Sequence, residues 1–414
     1  MEFTLRRCDY ILSGDRVLQG VNLVIQDGFI KSLGSEVEGD EVECRGMIVI
    51  PGLVNSHTHL GMLYLRGYLD DADLDLWLQR IWEVEREIPE TLMNLSTEAS
   101  IIESLMSGST AVVDMYFNPL KAKEVAERYG IRIWAGYVFL DEVYDPFEVD
   151  KKTRSLIKEK SELFTPIVNV HSLYGAGEMS LKLAKQLNEE LGLRVQIHLS
   201  ETRREVYQVK SRTGKFPLEY LHSSVGLNRN WHLVHLGWVT SWEIEAIRRE
   251  GATVTHCPTS NMKLATAGFF PFKEMMEAGV LVTLGTDGPA SNNTLDVFRE
   301  MKEAVLLQRN NYWDYSVGAS HALRASTVNA YSSLGIGRGR IKEGETADLT
   351  VLRTQRLRPL NTSRVASALV FNATGADVEF TVVRGKLSFK RGKLESKIDG
   401  LYSEIEKELE KLRL

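Results

Sequence analysis

Short apolar runs alternate with amphipathic stretches through the middle of the chain. Eight of these runs have the length and character of buried strands, and helical patterns separate them. The runs lie near residues 48–55, 110–115, 131–138, 166–171, 194–199, 231–236, 252–256 and 280–285. Eight strand–helix units over roughly 290 residues are typical of a (β/α)₈ TIM barrel, in which the active site lies at the carboxyl ends of the strands.

The two ends of the chain have a different pattern. The first ~45 residues read as short strands joined by turns, with Asp27-Gly28 as one turn signal. Strand-like runs return at residues 347–352 and 380–386, and the last stretch is charged and helical in pattern. We therefore predict an α/β protein in which both chain ends pair into one small β-sandwich. The predicted divisions are residues 1–50 (N-terminal segment of the sandwich), 51–338 (barrel), 339–395 (C-terminal segment of the sandwich) and 396–414 (C-terminal helix).

Composition narrows the classes of function. The 414 residues are 43% hydrophobic and 26% charged, as in ordinary globular proteins. The net charge of −6 provides no basic excess, so we expect no binding to nucleic acid. No run approaches the ~18 apolar residues of a membrane span. Cys8, Cys44 and Cys257 show no CxxC spacing, so disulfides are not implied and a cytoplasmic location is expected.

Histidines and one acid lie where predicted strands end. His57 and His59 close the first run, His198 and His235 end the fifth and sixth, and Asp287 follows the eighth. Residues two apart on a strand share a face, so His57 and His59 can reach one ion, although such a pair also occurs by chance. Together these groups form what a catalytic metal site needs, with one position left for water. The pattern therefore predicts metal-assisted attack by water.

Five motifs carry a resemblance to a known family. They are PGLVNSHTH at residues 51–59, HLSET at 198–202, VHL at 234–236, HCPTSNMKL at 256–264 and LGTDGPASNN at 284–293. By these residues the chain resembles the amidohydrolase superfamily. Within it, the chain looks most like the mononuclear deaminases grouped with S-adenosylhomocysteine/methylthioadenosine deaminases, guanine deaminases and s-triazine hydrolases. The stretch at 339–349 is similar to the family's β-sandwich, so the resemblance spans nearly the whole chain.

The resemblance implies a metal site with four protein ligands, namely His57, His59, His198 and Asp287. Three imidazoles and one carboxylate suit zinc, and ferrous iron also tolerates this set. Dinuclear members of the family carry a modified lysine at the end of the fourth strand. Here that segment, residues 167–171, reads IVNVH and holds no lysine. We therefore predict one Zn²⁺ per chain, with Fe²⁺ as the alternative.

The resemblance also implies roles in catalysis. Glu201, three residues after His198, matches the deaminase form of the motif and is expected to protonate a ring nitrogen of the substrate; the alternative is an acid that caps a helix. His235 is expected to polarise the attacking water or to stabilise the developing alkoxide, unless it is a satisfied core histidine. Asp287 is expected to carry a proton from water to the departing amine. His256 is expected to orient other groups rather than to bind metal.

The substrate clues are fewer. Glu85 matches the position at which adenosine-type deaminases hold ribose hydroxyls, but the match needs a one-residue gap, so Glu83 competes with it. His171 matches a histidine that contacts the purine. Homocysteine-recognising relatives carry arginines after the third strand. No arginine follows that strand here, and Arg154 is only a loose substitute.

These observations predict a metal-dependent hydrolytic deaminase. It would act on an exocyclic amine of a purine nucleoside or nucleobase-like N-heterocycle, a small molecule, and release ammonia. An s-triazine-type chloro- or aminohydrolase, or another C–N hydrolase of the superfamily, remains the alternative. A non-catalytic structural barrel is disfavoured because every expected ligand is present. The resemblance also implies a homo-oligomer.

Overall fold

The computed structural model describes residues 2–266, 268 and 270–413, which form an α/β fold with parallel sheets. The strands are β1 (Glu2–Ser13), β2 (Arg16–Gln26), β3 (Phe29–Gly34), β4 (Asp40–Glu43), β5 (Met47–Pro51), β6 (Leu53–Thr58), β7 (Ser109–Asp114), β8 (Arg132–Ala135), β9 (Val138–Phe139), β10 (Phe164–Pro166), β11 (Val168–Val170), β12 (Val195–Leu199), β13 (Trp231–His235), β14 (Thr253–His256), β15 (Leu281–Leu284), β16 (Leu349–Arg353), β17 (Val378–Val383) and β18 (Lys386–Lys390).

Helices connect most of these strands. They are α1 (Leu74–Glu85), α2 (Glu90–Met106), α3 (Pro119–Tyr129), α4 (Pro146–Leu156), α5 (Glu178–Leu191), α6 (Arg203–Thr213), α7 (Pro217–Val225), α8 (Ser241–Glu250), α9 (Pro258–Lys263), α10 (Phe272–Ala278), α11 (Pro289–Asn292), α12 (Val297–Tyr312), α13 (Ala319–Ser326), α14 (Val328–Leu334), α15 (Val365–Phe371) and α16 (Glu395–Leu412). Three 3₁₀ turns are Leu60–Leu65, Ile157–Glu159 and Gly375–Asp377. None of the helices in the described residues combines the length and apolarity needed to cross a bilayer.

Two parallel sheets occupy the middle of the chain. One has the order β10-β8-β7-β6, and the other has the order β15-β14-β13-β12-β11-β9. Hydrogen bonds join the segment that follows β15 to β6. Asn55 Nδ2 donates to Thr286 Oγ1 at 2.7 Å, and the Asp287 amide donates to the His57 carbonyl at 3.0 Å. The carboxyl ends of β6 and β15 therefore meet at one edge.

Three of the predicted strands are each divided in two, and one of them, the run at 166–171, is divided at Ile167 between β10 and β11. The run at 48–55 becomes β5 and β6, because the Gly52 amide turns to donate to the Asp348 carbonyl at 2.8 Å. Gly52 also lies against Thr110, where a Cβ would stand 2.1 Å from the hydroxyl oxygen. The run at 131–138 becomes β8 and β9, with Gly136 pressed against the Ile167 carbonyl. The sequence does not show that one continuous apolar run forms two strands that pair with different neighbours.

Strands from both chain ends form one eight-stranded sheet, in the order β18-β17-β16-β5-β1-β2-β3 with β4 beside β1. Strand β5 lies in its middle, parallel to β1 and antiparallel to β16. Leu5, Ile11, Leu23, Val49 and Val351 are among the buried residues that pack together here. Chain ends far apart in sequence thus share one apolar core.

The C-terminal segment forms the long helix α16, where the sequence predicts a helix. Its apolar residues Ile398, Leu401 and Ile405 are buried and recur at helical spacing. They belong to the same buried cluster as Leu92 and Ile102 of α2. The helix is therefore packed on α2 through one apolar face.

Candidate active site

The predicted histidines and Asp287 converge at the carboxyl ends of the parallel strands. The Nε2 atom of His57 lies 3.1 Å from His198 Nε2 and 3.4 Å from Asp287 Oδ1. The Nε2 atom of His59 lies 3.1 Å from the same carboxylate oxygen. In addition, one nitrogen each of His57, His198 and His235 lie within 4.8 Å of one another. The distant segments named by the sequence are thus brought together.

The hydrogen bonds made by Nδ1 of His57 and of His59 determine which nitrogen of each ring carries the lone pair. Because a carbonyl oxygen only accepts, His57 Nδ1 donates to Gln196 Oε1 at 2.9 Å and His59 Nδ1 donates to the Met115 carbonyl at 2.5 Å. In the neutral imidazoles, both Nε2 atoms are therefore unprotonated and available as ligands. Such contacts from the second nitrogen are how proteins orient metal-binding histidines.

The donor set fits a divalent cation. Without a cation, the lone pair of His57 would face the carboxylate of Asp287 and the ring nitrogen of His198, and the contacts would be repulsive. Ligand atoms about 2.0–2.1 Å from one zinc ion stand roughly 3 Å from one another. The observed separations of 3.1 to 3.4 Å agree with that spacing.

The backbone turns sharply where these side chains leave their strands. Ser200, His235 and Asp287 have φ values of 51°, 78° and 64°, in the left-handed region that non-glycine residues seldom adopt. Each such residue costs about 1–3 kcal/mol, and strain of this kind is concentrated at functional sites. Gly285 lies beside them and leaves no room for a side chain, because a Cβ would stand 2.8 Å from the backbone nitrogen of His57.

Glu201 does not cap the helix that follows it. Thr202 is the N-cap of α6 and accepts from the Glu205 amide, while the Glu205 carboxylate accepts from the amides of Ser200 and Glu201. The side chain of Glu201 instead borders a cavity that the histidines and Asp287 also line, and its Oε1 atom lies 3.7 Å from His235 Nε2. Burial, and then the negative charges of Asp287 and Glu205, raise the pKa of Glu201 well above its usual range. A protonated Glu201 can act as a general acid.

Two side chains from the HCPTSNMKL segment orient the other reactive groups. The Asn261 amide donates to His235 Nδ1 at 3.2 Å, which leaves the proton of the neutral ring on Nε2, towards Glu201. Burial lowers the pKa of His235 to about 4, so the ring is neutral. Ser260 Oγ donates to Asp287 Oδ2 at 2.6 Å, and the other oxygen, Oδ1, faces the histidines. Sequence reasoning named the segment but missed these roles.

A cavity opens over the convergence point. One face of α1 forms a wall of it, at the helical spacing expected of a single face. The lining residues of this face are Leu74, Trp77, Leu78, Ile81, Trp82 and Glu85. His59, His198, Glu201, His235 and Asp287 line the same cavity. The helix thus covers the reactive groups with an apolar and aromatic surface.

Glu85 and His171 both line this cavity, as predicted for substrate contacts. Tyr116 donates to Glu85 Oε1 at 2.7 Å, and burial raises the pKa of Glu85 to about 7. Glu83 is exposed and pairs with Arg80 at 3.0 Å, on another face of the helix. The ring of His171 lies 5.7 Å from that of Trp82, and burial lowers its pKa to about 3. The geometry therefore favours Glu85 over Glu83.

The expectation for His256 is wrong, and the doubt about Arg154 is upheld. Arg154 is no substitute for the missing arginines, because it pairs with Asp150 and Glu190, each at 2.9 Å, along α4 and α5. His256 does not orient another polar group: neither ring nitrogen has a hydrogen-bond partner among the described residues. Its ring stacks on Phe270 instead, at a centroid distance of 4.3 Å. This histidine at a strand end therefore packs as an aromatic ring rather than acting as a polar group.

Known proteins are similar to this chain in sequence and in fold. Residues 48–388 match the model described as the amidohydrolase family. The 5-methylthioadenosine/S-adenosylhomocysteine deaminase of Pyrococcus furiosus is 36% identical over 399 residues, covering 93% of this chain and 91% of that protein. The 5'-deoxyadenosine deaminase of Methanothermobacter thermautotrophicus is 35% identical over 397 residues, with coverage of 93% and 92%. The crystal structure of a zinc-bound adenosine deaminase from Xanthomonas campestris superposes with a TM-score of 0.94 at 28% identity, covering 99% of this chain and 98% of that one.

Proposed function

The chain belongs to the amidohydrolase family, and on this premise we propose that it hydrolyses the exocyclic amine of a purine nucleoside and releases ammonia. The observation that carries this function is the position of Glu201. An acid whose pKa is raised well above its usual range borders the same cavity as the His57, His59, His198 and Asp287 cluster. Deamination needs both a water activated at neutral pH and a proton for the ring, and this cavity offers groups for each.

We propose that one zinc ion is held by His57, His59, His198 and Asp287. The fit of the four donors supports this, as does the zinc in the related adenosine deaminase. When bound, zinc lowers the pKa of a coordinated water from 15.7 towards about 7, which makes a nucleophile available at neutral pH. Three imidazole nitrogens and the Asp287 carboxylate would be the donors to this cation.

The side chains of this enzyme would then manage the protons. Glu201 donates its proton to the ring nitrogen beside the amine-bearing carbon, which makes that carbon electrophilic as water attacks. The Nε2–H group of His235 hydrogen-bonds to the attacking oxygen. Asp287 accepts a proton from that water and passes it to the departing amine. As the C–N bond breaks, the second proton of the water returns to the Glu201 carboxylate, so the substrate and one water become the oxo product and ammonia.

Substrate contacts would come from Glu85 and His171. Tyr116 holds one carboxylate oxygen of Glu85, so the second oxygen is free to accept from ribose hydroxyls. The neutral ring of His171, beside Trp82, suits a contact with a flat heterocycle.

We further propose that the two parallel sheets close into one (β/α)₈ barrel, with a sandwich built from both chain ends beside it. The hydrogen bonds between Asn55 and Thr286 support closure between the first and last strands. The domain boundaries, the cytoplasmic location and the homo-oligomer stay predictions from the sequence.

The substitution Glu201→Gln tests the general acid. Loss of the transferable proton should lower turnover by ~10²–10⁴, the usual contribution of such a group, with zinc content unchanged at about one per chain. Glu243→Gln is the matched control, because Glu243 is a buried carboxylate of the α8 capping box with no contact to the cluster. Near-normal turnover of Glu201→Gln would overturn the assignment.

A substrate panel tests the reaction itself. Ammonia release is measured with adenosine, 5′-methylthioadenosine, S-adenosylhomocysteine, guanine and cytosine, on protein of known zinc content. Activity on at least one adenosine supports the proposal. A flat response on all five, with chloride or alkylamine release from a triazine, would instead identify the alternative hydrolase.

A further inference from the structure

The turn that carries Glu201 is held by a second acid, Glu205, which is buried. Glu205 Oε1 accepts from the Ser200 amide at 3.1 Å, and Glu205 Oε2 accepts from the Glu201 amide at 2.8 Å. Among the described residues no basic side chain pairs with this carboxylate, and the neighbouring Arg204 pairs with Asp75 at 2.8 Å instead. One N–H donor to each oxygen is an arrangement that fits an ionised carboxylate, which only accepts.

The capping of α6 alone does not account for this arrangement. An acid at the third position of a helix commonly accepts from the amide of the N-cap residue. Glu243 does this in α8, where it accepts from the Thr240 amide at 2.9 Å. Glu205 holds the same position in α6 but reaches past the N-cap residue, Thr202, to the two amides before it. The carboxylate therefore acts on the turn that precedes the helix.

This turn is strained and is held from two sides. Ser200 has a φ of 51°, in the left-handed region that a non-glycine residue adopts only at a cost in free energy. The Ser200 carbonyl accepts from the Trp238 amide at 3.1 Å, so the segment after β13 holds the carbonyl side of the turn, and Glu205 holds the amide side. Without the carboxylate, two buried amides would lack an acceptor and the turn would relax. The direction of the Glu201 side chain depends on the same backbone.

We propose that Glu205 is a positioning residue for the deamination: its carboxylate fixes the turn so that Glu201 Oε1 stays beside His235 Nε2, 3.7 Å away, at the border of the cavity. The inference rests on the proposed function, in which Glu201 donates a proton to the substrate. Glu205 itself touches neither the substrate nor the metal; it acts through the backbone of Glu201.

The substitution Glu205→Gln tests this role on the zinc-loaded full chain. A side-chain amide can accept from one backbone N–H but turns its own N–H groups towards the other, so the turn loses a hydrogen bond. We expect kcat on 5′-deoxyadenosine to fall by roughly 10–100-fold, as for a reacting group misplaced by about 1 Å, with zinc content unchanged. The KM should stay within about threefold, because substrate contacts are kept. Glu243→Gln, which alters the matching acid of α8, should keep its kcat.

A double-mutant cycle separates positioning from a general loss of structure. In a Glu201→Gln background there is no transferable proton to aim, so adding Glu205→Gln should lower kcat by less than about threefold more. A purely structural role would give the same loss in both backgrounds. The crystal structure of the Glu205→Gln variant gives a readout besides activity: Glu201 Oε1 should be displaced from its place beside His235 by about 1 Å or more.

The outcomes distinguish this inference from the proposed function. Equal losses in the two backgrounds, an unchanged kcat in Glu205→Gln, or an unmoved Glu201 in its crystal structure would overturn the positioning role and leave the deaminase intact. An unaltered chain that releases no ammonia from any adenosine would overturn the proposed function instead. If Glu205→Gln does not fold, Glu205→Asp replaces it in the same cycle, because a side chain one methylene shorter keeps the charge but does not reach both amides.

Discussion

The hydrogen bond behind His57 offers a sharp test of the metal site. Gln196 accepts from His57 Nδ1 at 2.9 Å and donates to Asn169 Oδ1 at 3.1 Å, all three side chains being buried. The substitution Gln196→Leu keeps the size of the side chain but removes both bonds. His57 then has no acceptor to hold its proton on Nδ1, and the lone pair on Nε2 is no longer fixed towards the cation.

The expected loss is moderate and measurable. Removing the partner of a metal-binding histidine lowers metal affinity or activity by roughly 10–100-fold. At 1.36 kcal/mol for each factor of ten, this is about 1.4–2.7 kcal/mol of binding free energy. The free energy of unfolding of the metal-free protein should fall by about 1–3 kcal/mol, because Asn169 also loses a buried partner.

Zinc affinity is measured by competition with a chromophoric chelator, and turnover is measured at saturating zinc. Gln308→Leu is the matched control, because Gln308 is equally buried and donates to the Phe270 carbonyl at 2.6 Å, away from the ligands. It should cost stability without changing zinc affinity. If Gln196→Leu folded and bound zinc as tightly as the unaltered protein, the orienting role of the bond would be refuted.

Three further predictions follow from the same geometry. Gly285→Ala places a methyl group 2.8 Å from the backbone nitrogen of His57, so zinc content after dialysis should fall, whereas Gly318→Ala, with open space around it, should keep its zinc. Ser260→Ala removes the hydrogen bond to Asp287 and should lower kcat by about 10-fold at unchanged fold, as judged by circular dichroism. Arg132→Leu leaves Asp348 buried without its cation, at a cost of about 3–5 kcal/mol in urea unfolding; a loss below 1 kcal/mol, as for an exposed pair, would contradict this.

Some of the site was predictable because local spacing determines it. His57 and His59 are two residues apart on a strand, which alone puts them on one face. The choice between Glu83 and Glu85 could also have been made from the sequence: a helix that begins at Leu74 and buries Trp77 and Ile81 puts Glu85 on the same face and Glu83 on another. The one-residue ambiguity of a motif is resolved by the helical period.

Other features depend on contacts that no local pattern encodes. Gln196 lies two residues before His198 on β12, but His57, which donates to it, is 139 positions away. The Phe270 ring that stacks on His256 arrives from the loop after α9. The division of the apolar run at Pro51 and Gly52 follows from the Asp348 carbonyl, near the other end of the chain. In each case the decisive partner is remote in sequence.

The central position of β5 has a consequence for biosynthesis. This strand, which leads within a few residues to His57, can pair with β1 early, but Ile50 also pairs with Thr350, so β5 finds its second neighbour, β16, only after most of the polypeptide has left the ribosome. High contact order of this type slows folding and leaves strand edges open to other chains in the meantime. Translation products that stop short of β16 should therefore aggregate rather than accumulate as a folded fragment able to take up zinc.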